Sequence, residues 1–444
     1  MQELVHNRQL KGHLAAVVGA GRSGLSAAAL LRSLGAEVRL LEKRADFDPH
    51  ILKSRGLEEV ELVLGEHEPK HFLDVDLVIV SPGIALSRVR KICPGSTPIF
   101  SELELASWFI SEPVIAVTGT NGKTTTCMLI SHVLKSTGRK VFTGGNIGTP
   151  LSDHVLSQNL VDLLVLEASS FQLQGCSGFR PDVGVLLNFS INHLDYHESE
   201  EEYFQAKMHL FSRQSIGDLA VLPLELKNRI EKGKKLDSKR AYFAPTGRFA
   251  CPALAGRHNQ ANMEAAFLAC RFFGVQKEEF DRAILDFSPP PHRQEIFYTD
   301  REITFVNDSK ATTQEAMAAA LKAFDPPIRL LAGGKYKGGD YSLLIPLLKD
   351  RVAKVYLFGG SRKIFESAWK DHVVTEYFPG LEEAVNRAVQ EAGPGECVLL
   401  SPGTSSFDLF TDYQARGEAF KNTVFALMRP GRQGMQFKEQ RTQP

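Results

Sequence analysis

Thr118-Gly119-Thr120-Asn121-Gly122-Lys123-Thr124-Thr125 is the stretch that decides the fold. Ahead of it Val114–Val117 reads as a buried strand, and behind it Lys123–Leu134 reads as a helix. A glycine-bearing loop that opens a helix offers backbone N–H groups to phosphate oxygens, and the helix dipole favours the negative charge. Lys123 can reach β- and γ-phosphates, and the Thr124 hydroxyl can ligate Mg²⁺. Val117 stands where the general phosphate-loop pattern has its first glycine. The competing reading, a structural turn before a helix, is weakened by the strand-loop-helix context.

The same rhythm continues on both sides. Upstream, Leu14–Val18 reads as a strand, Gly19–Gly24 as a turn and Ser23–Leu34 as a helix, followed by strands at Glu37–Leu41 and Leu77–Val80. Gly19-x-Gly21-x-x-Gly24 after a strand, with Glu42 at the end of the next one, is the dinucleotide-binding pattern. Taken alone it points to NAD, but no hydride-transfer site follows. Downstream, Leu163–Leu166 and Val183–Leu187 read as buried strands, and Ile303–Val306, Ile328–Ala332, Lys354–Phe358 and Val398–Leu400 begin a further series. Strands alternating with helices predict an α/β protein with mainly parallel sheets. Three domains are expected: a Rossmann-like one over 1–111, a central phosphate-loop ATPase domain over 112–298 and a second Rossmann-like α/β domain over 299–444. Residues 227–240 are rich in lysine and read as an exposed segment, and Arg429–Pro444 reads as a frayed polar end.

Composition narrows the function classes. Length allows about three domains at ~150 residues each. The chain has 52 Lys+Arg against 52 Asp+Glu, so no net basic field draws it to nucleic acid or a membrane surface. Its six cysteines are scattered with no C-x-x-C pair, which fits a reducing cytoplasm rather than a disulfide framework or a zinc site. Met1–Gly12 is polar and lacks a signal core, and no apolar run is long enough to span a bilayer.

Taken together, the loop and its neighbours resemble the Mur ligase superfamily, whose members join a carboxylate to an amine through an acyl phosphate. In the related folylpolyglutamate synthases the loop lysine is followed by Gly-Ser; here Thr124 and Thr125 follow it, as in the Mur ligases. Leu166-Glu167-Ala168-Ser169-Ser170-Phe171-Gln172 is similar to the E-x-S-S-F-Q-L string of the D-glutamate-adding branch, while the D-N-P-R string of the diamino-acid branch is not found. The resemblance spans about residues 10–428 and is weakest at 212–255.

The resemblance implies a set of roles. Gly119, Thr120, Asn121, Gly122, Lys123, Thr124 and Thr125 would cradle ATP, with Asn262 at adenine, Asp308 at ribose and Arg293 on the transferring phosphate. Two Mg²⁺ ions are implied, held by Thr124, Glu167, His193 and Lys207, the last as a carbamate. Lys207 by itself reads as an exposed helical lysine in Glu201–Phe211; the carbamate is implied by resemblance alone. Gly21, Ser23, Glu42, Lys43, Arg44, Ser81, Pro82, Gly83 and Asn146 would face the UDP portion of UDP-N-acetylmuramoyl-L-alanine. The family commonly has Asp-Thr-Arg where this chain has Glu42-Lys43-Arg44. Ser169, Gln172, Thr312, Lys337, Ser406 and Tyr413 would complete the acceptor and D-glutamate sites, with Lys310 near the phosphates. A cytoplasmic monomer acting on small molecules, with no nucleic acid and no membrane insertion, is the expectation. Left open are another Mur ligase, a folylpolyglutamate synthase, an NAD-binding protein and a catalytically dead binding protein, the last disfavoured by Lys123, Glu167, His193 and Lys207.

Overall fold

The computed structural model describes residues 10–190, 197, 199–233, 235–254, 256–289, 291–336 and 338–428. His193, Lys337 and the ends at 1–9 and 429–444 lie outside the described residues, so the expectations placed on them are not addressed below.

Three sheets organise the chain. The first uses β1 (Leu14–Val18), β2 (Glu37–Glu42), β3 (Glu61–Leu64), β4 (Leu77–Val80) and β5 (Ile99–Ser101), all parallel, in the order β3-β2-β1-β4-β5. The second uses β6 (Val114–Thr118), β7 (Val141–Gly145), β8 (Leu163–Glu167), β9 (Val183–Leu186), β10 (Leu219–Pro223) and β11 (Lys239–Phe243), again all parallel, in the order β11-β10-β9-β6-β8-β7. The third uses β12 (Glu295–Asp300), β13 (Ile303–Asn307), β14 (Ile328–Gly333), β15 (Val352–Phe358), β16 (Thr375–Phe378) and β17 (Cys397–Leu400), in the order β12-β13-β17-β14-β15-β16. Only β12 runs antiparallel there.

The central strands are unbroken apolar runs because helices cover both faces of a parallel sheet. Val114–Thr118 and Leu163–Glu167 are buried at every position. The edge strand Lys239–Phe243 is half exposed, so the lysine-rich stretch is not a bare segment: Lys227–Lys232 is helical, with Ile230 buried, and β11 follows it.

By contacts the chain divides into two compact units, residues 1–251 with 258–287 and residues 252–257 with 288–444. The first two sheets thus share one unit, with a continuous apolar core running from Leu10 to Ile230. Polar seams join them. Glu102, at the start of the helix Glu102–Ser107, accepts the Ser152 N–H at 2.7 Å. Glu104 accepts from Trp108 Nε1, Ser177 Oγ and the N–H groups of Gly178 and Phe179.

Candidate active site

The strand β6 delivers Gly119–Gly122 to the N-terminus of the helix Lys123–Ser136. Gly122 caps that helix at φ +84°, and a Cβ there would lie 2.6 Å from Asn262 Oδ1. Only glycine allows both the left-handed turn and the close approach of the Asn262 carboxamide. Asn188, just past β9, latches the loop: its Oδ1 accepts the N–H groups of Thr120 (3.1 Å) and Asn121 (2.9 Å), and its Nδ2 donates to Asn121 O (3.0 Å). The Lys123 ammonium folds back on the loop, donating to Gly119 O (2.9 Å) and Thr120 O (3.0 Å).

Two further elements converge on this loop. Glu167, at the end of β8, is 3% exposed. Its Oε2 accepts the Thr124 hydroxyl at 2.7 Å, and its Oε1 accepts Asn146 Nδ2 at 2.8 Å. The helix Glu200–Met208 brings in Lys207, whose Nζ donates to Gly119 O at 2.9 Å and lies 4.3 Å from the Tyr203 ring centre. Lys207 is 1% exposed, not the solvent-facing lysine that its polar helix suggests. Burial pushes its amine well below the ordinary lysine range, and the nearby Lys123 charge adds to the effect. Tyr203 and Phe204 precede Lys207 by four and three positions, so all three share one helix face.

The nucleotide-like loop of the first sheet lies in the same unit. Ser81 Oγ donates to Gly19 O at 3.0 Å, and Arg22 Nη1 donates to Gly148 O at 2.6 Å. The Gly19–Gly24 turn is thereby tied to the Gly144–Gly148 run that carries Asn146. Glu42 accepts Ala20 N–H (2.9 Å), Arg44 N–H (3.0 Å) and Arg44 Nε (3.0 Å). Burial raises the pKa of this carboxyl, but the bonds from Arg44 and Ala20 outweigh it and leave the group below its usual range. Glu42 therefore shapes the turn, while Lys43 and Arg44 are exposed and Lys43 pairs with Glu66. Ser169 and Gln172 form a reciprocal cap at the start of the helix Ser170–Gln174.

In the second unit the chemistry gathers at the C-terminal ends of β13, β17 and β14. Asp308 follows β13; its Oδ1 accepts Gln294 N–H and its Oδ2 accepts Ser401 Oγ–H, each at 3.1 Å. Burial pushes its pKa up to about 7, against the pull of the Arg293 guanidinium and those two hydrogen bonds. Arg293 sits between His292 and Gln294, both at left-handed φ (+63° and +48°). That turn is braced by His292 N–H on Glu295 Oε2 (2.9 Å) and Asn307 Nδ2 on the same oxygen (3.1 Å). Lys310 Nζ lies 5.4 Å from the Tyr413 ring centre, and Ser406 is buried. Motif reading singled out neither Asn188 nor Tyr203 as a site residue. Asn188 could have been found from its place directly after a buried strand beside the loop.

A curated relative, the UDP-N-acetylmuramoylalanine–D-glutamate ligase of Nitratidesulfovibrio vulgaris, is 49% identical over 421 residues, covering 94% of this chain and 97% of that protein. The chain belongs to the Mur ligase family. The family descriptions agree: "Mur ligase MurD-like, N-terminal domain" matches residues 13–92, "Mur ligase middle domain" 117–249, and "Mur ligase, glutamate ligase domain" 292–404. The ligase of the same name from Syntrophus aciditrophicus is 37% identical, covering 94% of this chain and 99% of that one. Among solved Mur ligases, the fold is shared with MurF of Thermotoga maritima in complex with ADP (TM-score 0.58, 18% identity, 87% and 94% covered). It is shared also with UDP-N-acetylmuramate–alanine ligase MurC of Thermotoga maritima (TM-score 0.56, 19% identity, 93% and 99% covered).

Proposed function

We propose that this Mur ligase adds D-glutamate to UDP-N-acetylmuramoyl-L-alanine in peptidoglycan precursor synthesis, with cleavage of ATP to ADP and phosphate. The observation that carries the reading is the convergence of Lys123, Thr124, Glu167 and Lys207 on one glycine loop. The chemistry that such a cluster suits is phosphoryl transfer to a carboxylate. The names of the relatives supply the amino acid.

In this reading the three sections 1–111, 112–298 and 299–444 hold the UDP portion, ATP and the amino acid respectively. The loop N–H groups and Lys123 bind the triphosphate, Asn262 meets adenine and Asp308 the ribose. Mg²⁺ prefers oxygen donors. The Thr124 hydroxyl and Glu167 carboxylate fit it, and it would neutralise charge on the phosphates. Lys207, favoured as a neutral amine, can add CO₂: an N–C bond forms, a proton leaves nitrogen, and an anionic oxygen donor results. The substrate carboxylate attacks the γ-phosphorus and ADP leaves. Arg293 and Lys310 offset charge on the transferring group. The D-glutamate amine then attacks the acyl carbon, and phosphate is expelled. Thr312, Ser406 and Tyr413 hold the amino acid while the protein supplies positioning and fixed charge. All six thiols are free, in keeping with the cytoplasm. Among the described residues no helix is long and apolar enough to cross a membrane.

The test is phosphate release from Mg-ATP and UDP-N-acetylmuramoyl-L-alanine with amino acids offered singly. D-glutamate is expected to support release. Release with L-lysine or meso-diaminopimelate but not with D-glutamate overturns the assignment.

A further inference from the structure

The helix Tyr413–Met428 carries a guanidinium that is 0% exposed. Arg416 Nε donates to Ser309 Oγ at 3.0 Å, Nη2 to Ser309 O at 2.8 Å and to Thr404 O at 3.1 Å, and Nη1 to Gly333 O at 3.3 Å. These acceptors stand at three separate places, the loops that leave β13 and β17 and the last residue of β14. The three strands are neighbours in the order β13-β17-β14, and their C-terminal ends form the kind of crevice where open α/β sheets take ligands. The loops are also fitted to one another. Lys335 and Ser405 exchange backbone bonds at 2.8 and 3.2 Å, and the Ser309 hydroxyl donates to Tyr413 O at 2.8 Å. Gly334 has φ +131°, and a Cβ on it would stand 2.2 Å from Ser405 O and 2.9 Å from Arg416 Nη1.

Stability alone is a weak reason for this arrangement. Among the described residues no carboxylate hydrogen-bonds to Arg416, and a buried cation without a close partner is expensive to desolvate. Burial lowers its pKa to about 10, partly opposed by Asp408, so it stays charged at neutral pH. What the guanidinium provides is a rigid planar fork of five donors, and strand-end carbonyls from three places need donors at fixed angles. Thr312 lies in the loop after β13, Ser406 stands two residues past Thr404 in the loop after β17, and Tyr413 opens the helix that carries Arg416.

We propose that Arg416 is a positioning residue for the incoming amino acid: by clamping the loops after β13 and β17 and the end of β14 to one another, it sets the mutual placement of Thr312, Ser406 and Tyr413. The inference rests on the ligase reading, because that reading assigns those three residues to the amino acid. It predicts a defect that falls more heavily on the second half of the reaction than on the first.

The experiment compares the full-length wild type with Arg416→Met and Arg416→Lys in two assays. One is phosphate release at varied D-glutamate. The other traps the acyl phosphate with hydroxylamine in the absence of D-glutamate, which reports the first half alone. Arg416→Met is expected to raise the KM for D-glutamate about 10- to 100-fold, the size expected when reacting groups are displaced by an ångström or so. Because Ser309 lies between Asp308 and Lys310, hydroxamate formation and the KM for ATP are expected to change as well, but by less than the KM for D-glutamate. Arg416→Lys keeps the charge but offers donors from a single atom, so it is expected to show the same defect. An unchanged D-glutamate KM in Arg416→Met overturns the proposal, as does an equal fall in both assays. A wild-type KM in Arg416→Lys overturns the clamp in favour of charge alone. If neither variant folds, Ser309→Ala, which removes one acceptor of the fork, decides: a smaller rise in the D-glutamate KM supports the clamp and no rise overturns it. Wild-type protein that releases no phosphate with D-glutamate overturns the ligase assignment instead, and the proposal falls with it.

Discussion

Lys207 and Arg416 are both buried basic side chains, 1% and 0% exposed, one beside the phosphate loop and one beneath the loops of the third sheet. The Lys207 ammonium donates to one carbonyl, Gly119 O, and shares its surroundings with the like charge of Lys123. Arg416 is surrounded by four acceptor contacts at three places. The chemistry of the two groups explains the difference. An amine can lose its proton when desolvated, whereas a guanidinium keeps its charge and must be hydrogen-bonded. A buried lysine is therefore available as a reactive neutral nitrogen, and a buried arginine as a fixed piece of architecture.

The largest effect that could break this contrast is at Lys207. Lys207→Ala is expected to reduce turnover by about 10³-fold or more, the scale of losing one fixed electrostatic group at a reacting centre. Added short carboxylic acids should restore part of it by supplying the missing anionic oxygens. Lys207→Arg should be equally inactive, because it cannot shed its proton. Wild-type rates for either variant in the phosphate-release assay remove the carbamate from the reading.

A buried acid sharpens the comparison with an effect of intermediate size. Burial pushes the Glu102 pKa from 4.5 up to about 7, and its Oε2 has no hydrogen-bond partner among the described residues. A raised carboxyl pKa means that the folded state binds the proton more tightly than the unfolded one. The stability it contributes is complete below pH 4.5 and is lost as pH rises through about 7. Glu102→Gln keeps an acceptor for the Ser152 N–H and cannot ionise. It should be more stable than wild type at pH 8, by up to about 3 kcal/mol, with the gap closing toward pH 4. Denaturant unfolding at the two pH values measures it; a gap independent of pH would mean that Glu102 does not carry the proton.

The smallest effect belongs to an exposed cation. Lys277 pairs with Asp281 at 2.5 Å one helical turn on, with side chains 44% and 38% exposed. Lys277→Ala should change stability by less than about 0.5 kcal/mol, since water and salt already solvate both charges. A larger loss would show that exposed pairs here deserve the weight given to buried ones.

Much was legible from the order of short strings. A strand, a glycine loop and a Lys-Thr-Thr helix start are local, and local geometry alone places N–H groups, lysine and hydroxyl around a phosphate. The buried apolar strands at Leu14, Val114, Leu163 and Val183 were equally legible, because a parallel sheet covered on both faces leaves no polar alternation. The edge strand Lys239–Phe243 was not, since its exposed lysine and arginine look like a solvated loop.

What the sequence determined, then, was the chemistry available in each loop and the α/β rhythm that carries it, because both depend on residues a few positions apart. The tertiary structure decided which of those groups lose contact with water. Glu42 stands where a contact to the UDP portion is expected, yet it is occupied by the N–H of Ala20, 22 positions back in the chain. Lys207 sits in a helix that opens with three glutamates and is buried because Tyr203 and Phe204 share its face. Arg416 draws its acceptors from Ser309, Gly333 and Thr404, as far as 107 residues away. Burial is a property of long-range packing, and it is burial that turns an ordinary lysine into a reactive amine and an ordinary arginine into a clamp.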